Sequence, residues 1–192
     1  MCHPRRDAGP PTPPPVRVIA GRYGGRRLKA PRGAATRPTA DRVREALFSI
    51  LGARVPDASV LDLFAGSGAL GLEALSRGAA QATFVESRQS ALTVLRANLA
   101  ALGADAEVVR ADALRWLRAA PDSARQYDLV FLDPPYGRAA ELGGPLSESL
   151  PAVLAPGALV VAECDRRAPL ELTIRKIDER RYGDTLIRIH AA

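Results

Sequence analysis

Asp133-Pro134-Pro135-Tyr136 follows an apolar run, Tyr127–Leu132, and stops it abruptly. Neither proline has an N–H, and each fixes φ near −65°. Pro135 also holds Pro134 out of the α region. The result is a stiff turn whose carbonyls face outward with no competing donor. Asp133 adds a carboxylate and Tyr136 a flat aromatic face. Such a turn suits a planar ring that carries an NH₂ group. The aromatic stacks on the ring, while the carboxylate and a proline carbonyl accept the amino hydrogens. An exocyclic amine is a weak nucleophile because its lone pair is delocalised into the ring. Acceptors out of the ring plane favour the pyramidal form that develops as it attacks. Holding the amine in line with an electrophilic carbon supplies much of the remaining rate. The same residues could simply make an Asx turn at a strand end, so the reading needs support elsewhere in the chain.

That support lies upstream. Gly66, Gly68 and Gly71 in "LDLFAGSGALG" match G-x-G-x-x-G between an apolar run and a helix start. Glu86 ends the next apolar run, where an acid can accept both hydroxyls of a ribose. An NAD enzyme and an S-adenosylmethionine enzyme share this much. Asp62, just before the glycines, would repel a pyrophosphate but suits a ligand bearing an ammonium and a sulfonium. Asp112, after the third run, can accept from an adenine amino group. Ligands of open α/β sheets bind at strand carboxyl ends. Three acids that cap helix starts would give the same spacing.

These residues need a frame, and the chain reads as one. Short apolar runs alternate with helical patterns: 59–64, helix 69–77, 82–86, helix 90–102, 106–110, helix 113–119, 127–132, helix 147–154, 158–163. This predicts an α/β fold of parallel strands with helices on both faces. Residues 170–177 and 185–189 read as two further strands with no helix between them, an antiparallel pair at the sheet edge. Thr39 is a candidate cap for a helix over 40–51, with Val43, Leu47, Ile50 and Leu51 as its apolar stripe and Gly52 as its stop. Trp116 reads as packing, and His3 and His190 have no catalytic partner in sequence.

The first 15 residues hold six prolines and read as a disordered tail. Residues 16–38 read as a basic β-hairpin arm, with strands at 17–20 and 26–29, and 39–192 as the catalytic domain. Residues 16–44 carry nine basic side chains against Asp41 alone. The whole chain is +6, so the basic character is a local feature on a mildly acidic body. Such a patch is the footprint of a polyanion-binding surface, and arginine, which dominates it, binds phosphate bidentately. No apolar run nears the ~18 residues needed to span a bilayer. The N-terminus has no apolar signal core, and two cysteines fit a reducing compartment. A cytoplasmic protein is expected, with no metal site and no sequence feature demanding a second copy, hence a monomer.

"DLFAGSGALGLEALSRGA" together with "DPPY" resembles class I S-adenosylmethionine-dependent methyltransferases of exocyclic amines. The upstream "RVIAGRYGGRRLKAP" and "TRPTADRVREALF" resemble the RsmD family, bacterial 16S ribosomal RNA guanine-N2 methyltransferases. The resemblance implies a Rossmann-like, seven-stranded, mostly parallel sheet with an antiparallel C-terminal hairpin. It implies S-adenosylmethionine at Asp62, Ala65, Gly66, Ser67, Gly68, Glu86, Ser87, Asp112 and Ala113. It implies a target guanine, number 966 in the usual numbering of that RNA, at Asp133, Pro134, Pro135 and Tyr136. Arg22, Arg26, Arg27 and Arg37 would hold RNA, with Thr39 and Arg42 at the mouth of the site. The partner would be 16S rRNA in the small subunit or an assembly intermediate. Where relatives often place a second acid two positions after Glu86, this chain has Arg88. Rival readings are an adenine-N6 DNA methyltransferase with a similar turn, an NAD-dependent oxidoreductase, and a non-catalytic RNA-binding factor.

Overall fold

The computed structural model describes residues 16–31, 40–119, 125–135 and 137–192. The proline-rich tail, the stretch holding Arg37 and Thr39, and Tyr136 lie outside the described residues. In chain order the elements are α1 (Ala40–Leu51), β1 (Ser59–Asp62), α2 (Ala69–Ser76), β2 (Gln81–Glu86), α3 (Gln89–Leu102) and β3 (Glu107–Arg110). There follow α4 (Ala113–Ala119), β4 (Tyr127–Leu132), α5 (Ala139–Ser149), β5 (Leu154–Asp165), β6 (Arg175–Tyr182) and β7 (Thr185–Ala191). The seven strands form one sheet in the order β3-β2-β1-β4-β5-β7-β6. The first five are parallel; β7 is antiparallel to both β5 and β6.

Alternation along each strand sends apolar side chains to both faces. Val60, Phe84, Phe131 and Val161 pack with α1, α2 and α3 on one face. Leu61, Val85, Leu132 and Ala162 pack with α4 and α5 on the other. The buried stripe of α1 is Val43, Leu47, Phe48 and Leu51; Ile50, read from sequence as part of it, is 40% exposed. Phe48 takes its place, tilted against Phe131 with 5.7 Å between ring centroids.

Boundaries differ from the sequence reading in several places, and β5 begins at Leu154, through Pro156 and Gly157, instead of at Ala158. The helix expected over 147–154 instead starts at Ala139, runs through Gly143, Gly144 and Pro145, and ends at Ser149. Ala139, Leu142 and Leu146 form its buried stripe, and a side chain at Gly143 would overlap the Glu171 carbonyl. Gly143, Gly144 and Pro145, to which the sequence reading assigns no element, thus lie where a helix passes close to backbone. The last hairpin is shifted too. Apolar "LELTI" is not its first strand. Leu170 is fully buried and Leu172 and Ile174 pack against the core, while pairing with β7 begins at Arg175. The edge strand is the charged "RKIDERRY". Its ion pairs, Lys176–Glu179, Arg180–Asp178 and Arg181–Glu179, suit an edge that must not recruit another strand.

Candidate active site

The chain runs β1 to β2 to β3 in one direction along the sheet, then returns to the other side of β1 for β4 and β5. The carboxyl ends of β1 and β4 therefore flank the crevice where such sheets bind ligands. Asp62 closes β1, Glu86 closes β2 and Asp133 follows β4. The expected acids meet at one edge because of this topology.

The loop between β1 and α2 sorts its glycines by task. Gly66 (φ 54°) and Gly68 (φ 83°) are both left-handed, which glycine adopts at no steric cost. A Cβ on Gly68 would strike Leu95, and one on Gly71 the ring of Phe84. These two let α2 and α3 close on the sheet. A Cβ on Gly66 would meet only the Phe64 carbonyl, 3.9 Å away. Gly66 is the glycine with open space for a guest. Ala65 is buried, its N–H donating to the Val85 carbonyl at 3.1 Å, and the Gly68 N–H donates to the Ala65 carbonyl at 2.6 Å.

Each of the three acids also makes a local bond. Asp62 is 2% exposed and its Oδ2 accepts the Gly71 N–H at 3.1 Å. Burial pushes its carboxyl up to about 7, against the bond from Gly71 and helped by the neighbouring charge of Glu86. Glu86 is 6% exposed. Its Oε2 accepts the Gly66 N–H at 2.9 Å, and Oε1 accepts the Arg88 N–H at 2.8 Å, with the Arg88 guanidinium also on Oε1. Arg88 therefore clamps Glu86. Asp112 is exposed and caps α4 through the N–H groups of Leu114 and Arg115, both 3.1 Å. Capping and ligand reception are compatible, because an ionised carboxylate has about four acceptor positions. Ser87 is exposed beside Glu86, and Ala113 is buried at the start of α4.

In the turn after β4, Asp133 and Pro135 are exposed and Pro134 is buried. The Pro135 carbonyl accepts the Arg138 N–H at 3.3 Å. It is turned into the start of α5, so the proline carbonyl suited to a guest is that of Pro134. A cleft beside the turn is lined by Asp133, Pro134, Pro135, Glu163, Asp165 and Thr185. Glu163 did not stand out in the sequence. Its one signal was an acid at the end of the apolar run "ALVVA", the pattern that marked Asp62 and Glu86.

The basic hairpin is smaller and more tightly held than its sequence suggests. In place of two strands it has one isolated bridge, Arg17 with Arg27, and flanking bonds between Val18 and Arg26 and between Leu28 and Val16. Val18 and Leu28 are buried in the core, each contributing roughly 1.5–3 kcal/mol. Glu73 of α2 is wholly buried and accepts the N–H groups of Ile19 (2.6 Å) and Ala20 (3.1 Å). It is neutralised by Arg77 at 2.6 Å and Arg44 at 3.8 Å. Arg44, counted from sequence among the basic patch, is thus an internal counter-ion, 6% exposed. Asn98 of α3 is 2% exposed. It exchanges bonds with the Lys29 backbone (2.8 and 3.0 Å) and donates to the Ser67 carbonyl at 2.9 Å. One amide thereby ties the basic hairpin to the glycine loop.

The expected RNA contacts are spread out. The tip of the hairpin binds the far ends of α2 and α3: the Arg22 N–H reaches the Ser76 carbonyl at 2.8 Å, and the Arg26 guanidinium the Ala101 carbonyl at 2.6 Å. In parallel βαβ units those helix ends lie at the amino ends of the strands. Arg22 accordingly lines a cleft of about 790 Å³ together with Ser59, Gln81 and Glu107, which begin β1, β2 and β3. Arg22 and Arg26 are therefore remote from Asp133. Arg27 and Arg42 are exposed. Trp116 packs on Tyr127 with centroids 6.3 Å apart. His190 is 2% exposed and its Nδ1 lies 2.8 Å from the Ile174 carbonyl. Among the described residues no His, Cys, Asp or Glu group could hold a metal, and no helix is long and apolar enough to cross a membrane.

The profile of a family described as "Conserved hypothetical protein 95" matches residues 16–191. The chain belongs to this family. It is 47% identical over 124 residues to ribosomal RNA small subunit methyltransferase D of Escherichia coli (strain K12), a stretch covering 64% of this chain and 61% of that protein. It is 39% identical over 160 residues to the protein of the same name from Haemophilus influenzae, with 81% of each covered. Among solved structures, a hypothetical protein of Thermus thermophilus superposes with a TM-score of 0.81 at 34% identity, over 92% of this chain and 99% of that one. The Rossmann-like, seven-stranded architecture expected from the resemblance is the one observed.

Proposed function

We propose that this protein transfers a methyl group from S-adenosylmethionine to the exocyclic N2 of a guanine in 16S ribosomal RNA, guanine 966 in the usual numbering. One observation carries the reading: an open glycine loop bracketed by Asp62 and Glu86 stands one strand away from a stiff acceptor turn at Asp133–Pro135. The donor set fits that cofactor. Glu86 accepts the ribose hydroxyls, Asp62 faces the ammonium end, Asp112 accepts the adenine amine, and Ala65, Ser67, Gly68, Ser87 and Ala113 shape the walls. When bound, S-adenosylmethionine supplies a methyl group on a positively charged sulfur. Asp133 and the Pro134 carbonyl hold the amine, and Asp133 stabilises the positive charge that grows on its nitrogen. Tyr136 stacks on the base. Arg27, Arg37, Thr39 and Arg42 contact the RNA, and Arg22 and Arg26 meet the part of it that reaches the amino ends of the strands. The name shared by the relatives supports small-subunit RNA as the substrate.

Incubation with tritiated S-adenosylmethionine and small-subunit RNA, followed by nucleoside analysis and mapping, tests this. N2-methylguanosine at a single position is expected. Label on adenine, or on no nucleoside, would overturn it. Calorimetry adds a check: binding of S-adenosylmethionine without binding of NAD is expected, and the reverse would favour a dehydrogenase.

A further inference from the structure

We infer that Glu163 is the residue that makes the site select guanine over adenine, by accepting the N1–H of the base whose N2 amine sits at Asp133. The inference rests on the guanine reading above and sharpens it.

The two acids are neighbours by register. β4 and β5 are parallel, with Leu132 paired to Ala162. The next position on each strand brings Asp133 beside Glu163, about 4.8 Å apart in the pairing direction. Both belong to the lining of one cleft at the carboxyl ends of these strands, together with Pro134, Ala139 and Cys164. Ala162 and Cys164 pack on the α5 face and Val161 on the opposite one. Alternation therefore turns the Glu163 side chain toward the face that carries α1 and the cofactor loop. Its charge acts on Arg44 of α1, which agrees with that direction. Glu163 is half-buried, between the buried Ala162 and Cys164.

The base edges decide what such a pair accepts. Guanine offers N1–H and N2–H₂ side by side, donors only. Two carboxylates, which are acceptors only, complement that edge. Adenine offers an N6 amine next to N1, which is a lone pair. With the adenine amine at Asp133, Glu163 would face that lone pair with no hydrogen between them. An unmade bond of this kind costs more than a made one contributes. The shared turn thus accepts either amine, and the acid on the adjacent strand separates them.

The test uses the full-length protein and two RNA substrates, one with guanine at the methylated position and one with 2-aminopurine there. 2-Aminopurine keeps the N2 amine but has a lone pair at N1. Methyl transfer from tritiated S-adenosylmethionine gives kcat/KM on each. The ratio of the two is taken within one preparation, so it does not depend on how much of a variant is folded. The wild type is expected to prefer guanine by about 100-fold or more, as sites built on hydrogen bonds do. Glu163→Gln, whose amide can donate to N1, and Glu163→Ala should each shrink that preference at least tenfold. A ratio unchanged in both variants, or a wild type that does not discriminate, overturns the inference while leaving guanine methylation standing. A wild type that forms no N2-methylguanosine on the guanine RNA overturns the guanine reading, and the inference with it.

Discussion

The two sides of the crevice are built in opposite ways. On the β1–β2 side, Asp62 and Glu86 are almost wholly buried and the glycine loop is braced by Gly71, Arg88 and Asn98. On the β4 side, Asp133 and Pro135 are exposed and rigidity comes from the proline rings. The first side is shaped by its own hydrogen bonds before a ligand arrives. The second presents acceptors to a guest and owes its stiffness to covalent geometry. Substitutions on the first side should therefore change folding and cofactor affinity together, and substitutions on the second should change rate alone.

Asp133→Ala carries the largest effect. Loss of the acceptor should lower kcat by roughly 10³-fold, the scale of one transition-state donor or acceptor. Melting temperature and affinity for S-adenosylmethionine should stay close to wild type. Near wild-type turnover in a rapid-quench assay would remove Asp133 from the chemistry and with it the contrast between the two sides.

Asp62→Asn probes the buried side through pH. The folded-state carboxyl of Asp62 is raised from 3.8 to about 7. A raised acid holds its proton in the folded state after the unfolded chain has released it. The penalty for burying its charge is therefore absent below about pH 4, grows between 4 and 7, and is complete above 7. Asparagine can keep the bond from the Gly71 N–H without that penalty. The variant should gain on wild type across pH 4–7, by roughly 2–4 kcal/mol at full ionisation, read from urea unfolding at a series of pH values. On the proposed reading, in which Asp62 faces the ammonium end, affinity for S-adenosylmethionine should fall, most above pH 7 where the wild-type carboxyl is charged. A stability difference that does not vary with pH would show that Asp62 does not titrate in this range.

Glycines separate the two tasks within one loop. Gly71→Ala pushes a methyl into the Phe84 ring and should cost about 1–3 kcal/mol of stability. Gly66→Ala meets open space, so its folding cost is only that of a left-handed alanine, about 1 kcal/mol. It should nevertheless weaken cofactor binding more than Gly71→Ala does, as measured by calorimetry on folded protein. Equal effects on binding would mean that the loop acts as one unit.

How much of this could be read from the chain depends on whether local pattern or tertiary contact decided each feature. The parallel strands follow from the apolar runs, and Asp62, Glu86 and Asp133 stand at or just after strand ends as that pattern implies, while Asp112 follows β3 by two residues. The pattern was not carried to β5, where Glu163 ends the run in the same way. The sequence pattern starts the helix too late, at 147, because its true course through Gly143, Gly144 and Pro145 has a tertiary reason: Gly143 lies against the Glu171 backbone. "LELTI" misled because apolar alternation marks burial, not pairing. Leu170 is buried against β5 and α5 without joining the ladder, while the charged residues after it make the edge. Arg44 could not be told from its exposed neighbours, since the buried Glu73 that requires it lies 29 positions away.

The smallest expected effect concerns the hairpin, where the same contrast recurs between side chains. The Arg26 guanidinium is bonded to the Ala101 carbonyl, whereas that of Arg27 has no hydrogen bond or ion pair among the described residues. Each phosphate contact contributes about 0.7–0.9 to the slope of log K against log salt. Arg27→Glu should therefore flatten the salt dependence of RNA binding by about one unit, and Arg26→Glu by less. The Arg26 side chain lies at the amino ends of the strands, remote from Asp133, so Arg26→Glu should not alter the rate of methyl transfer at saturating RNA. A salt slope unchanged in both variants would confine the RNA to the crevice side of the molecule. A loss of rate at saturation would mean instead that the hairpin acts on the glycine loop through Asn98, the amide that joins Lys29 to Ser67.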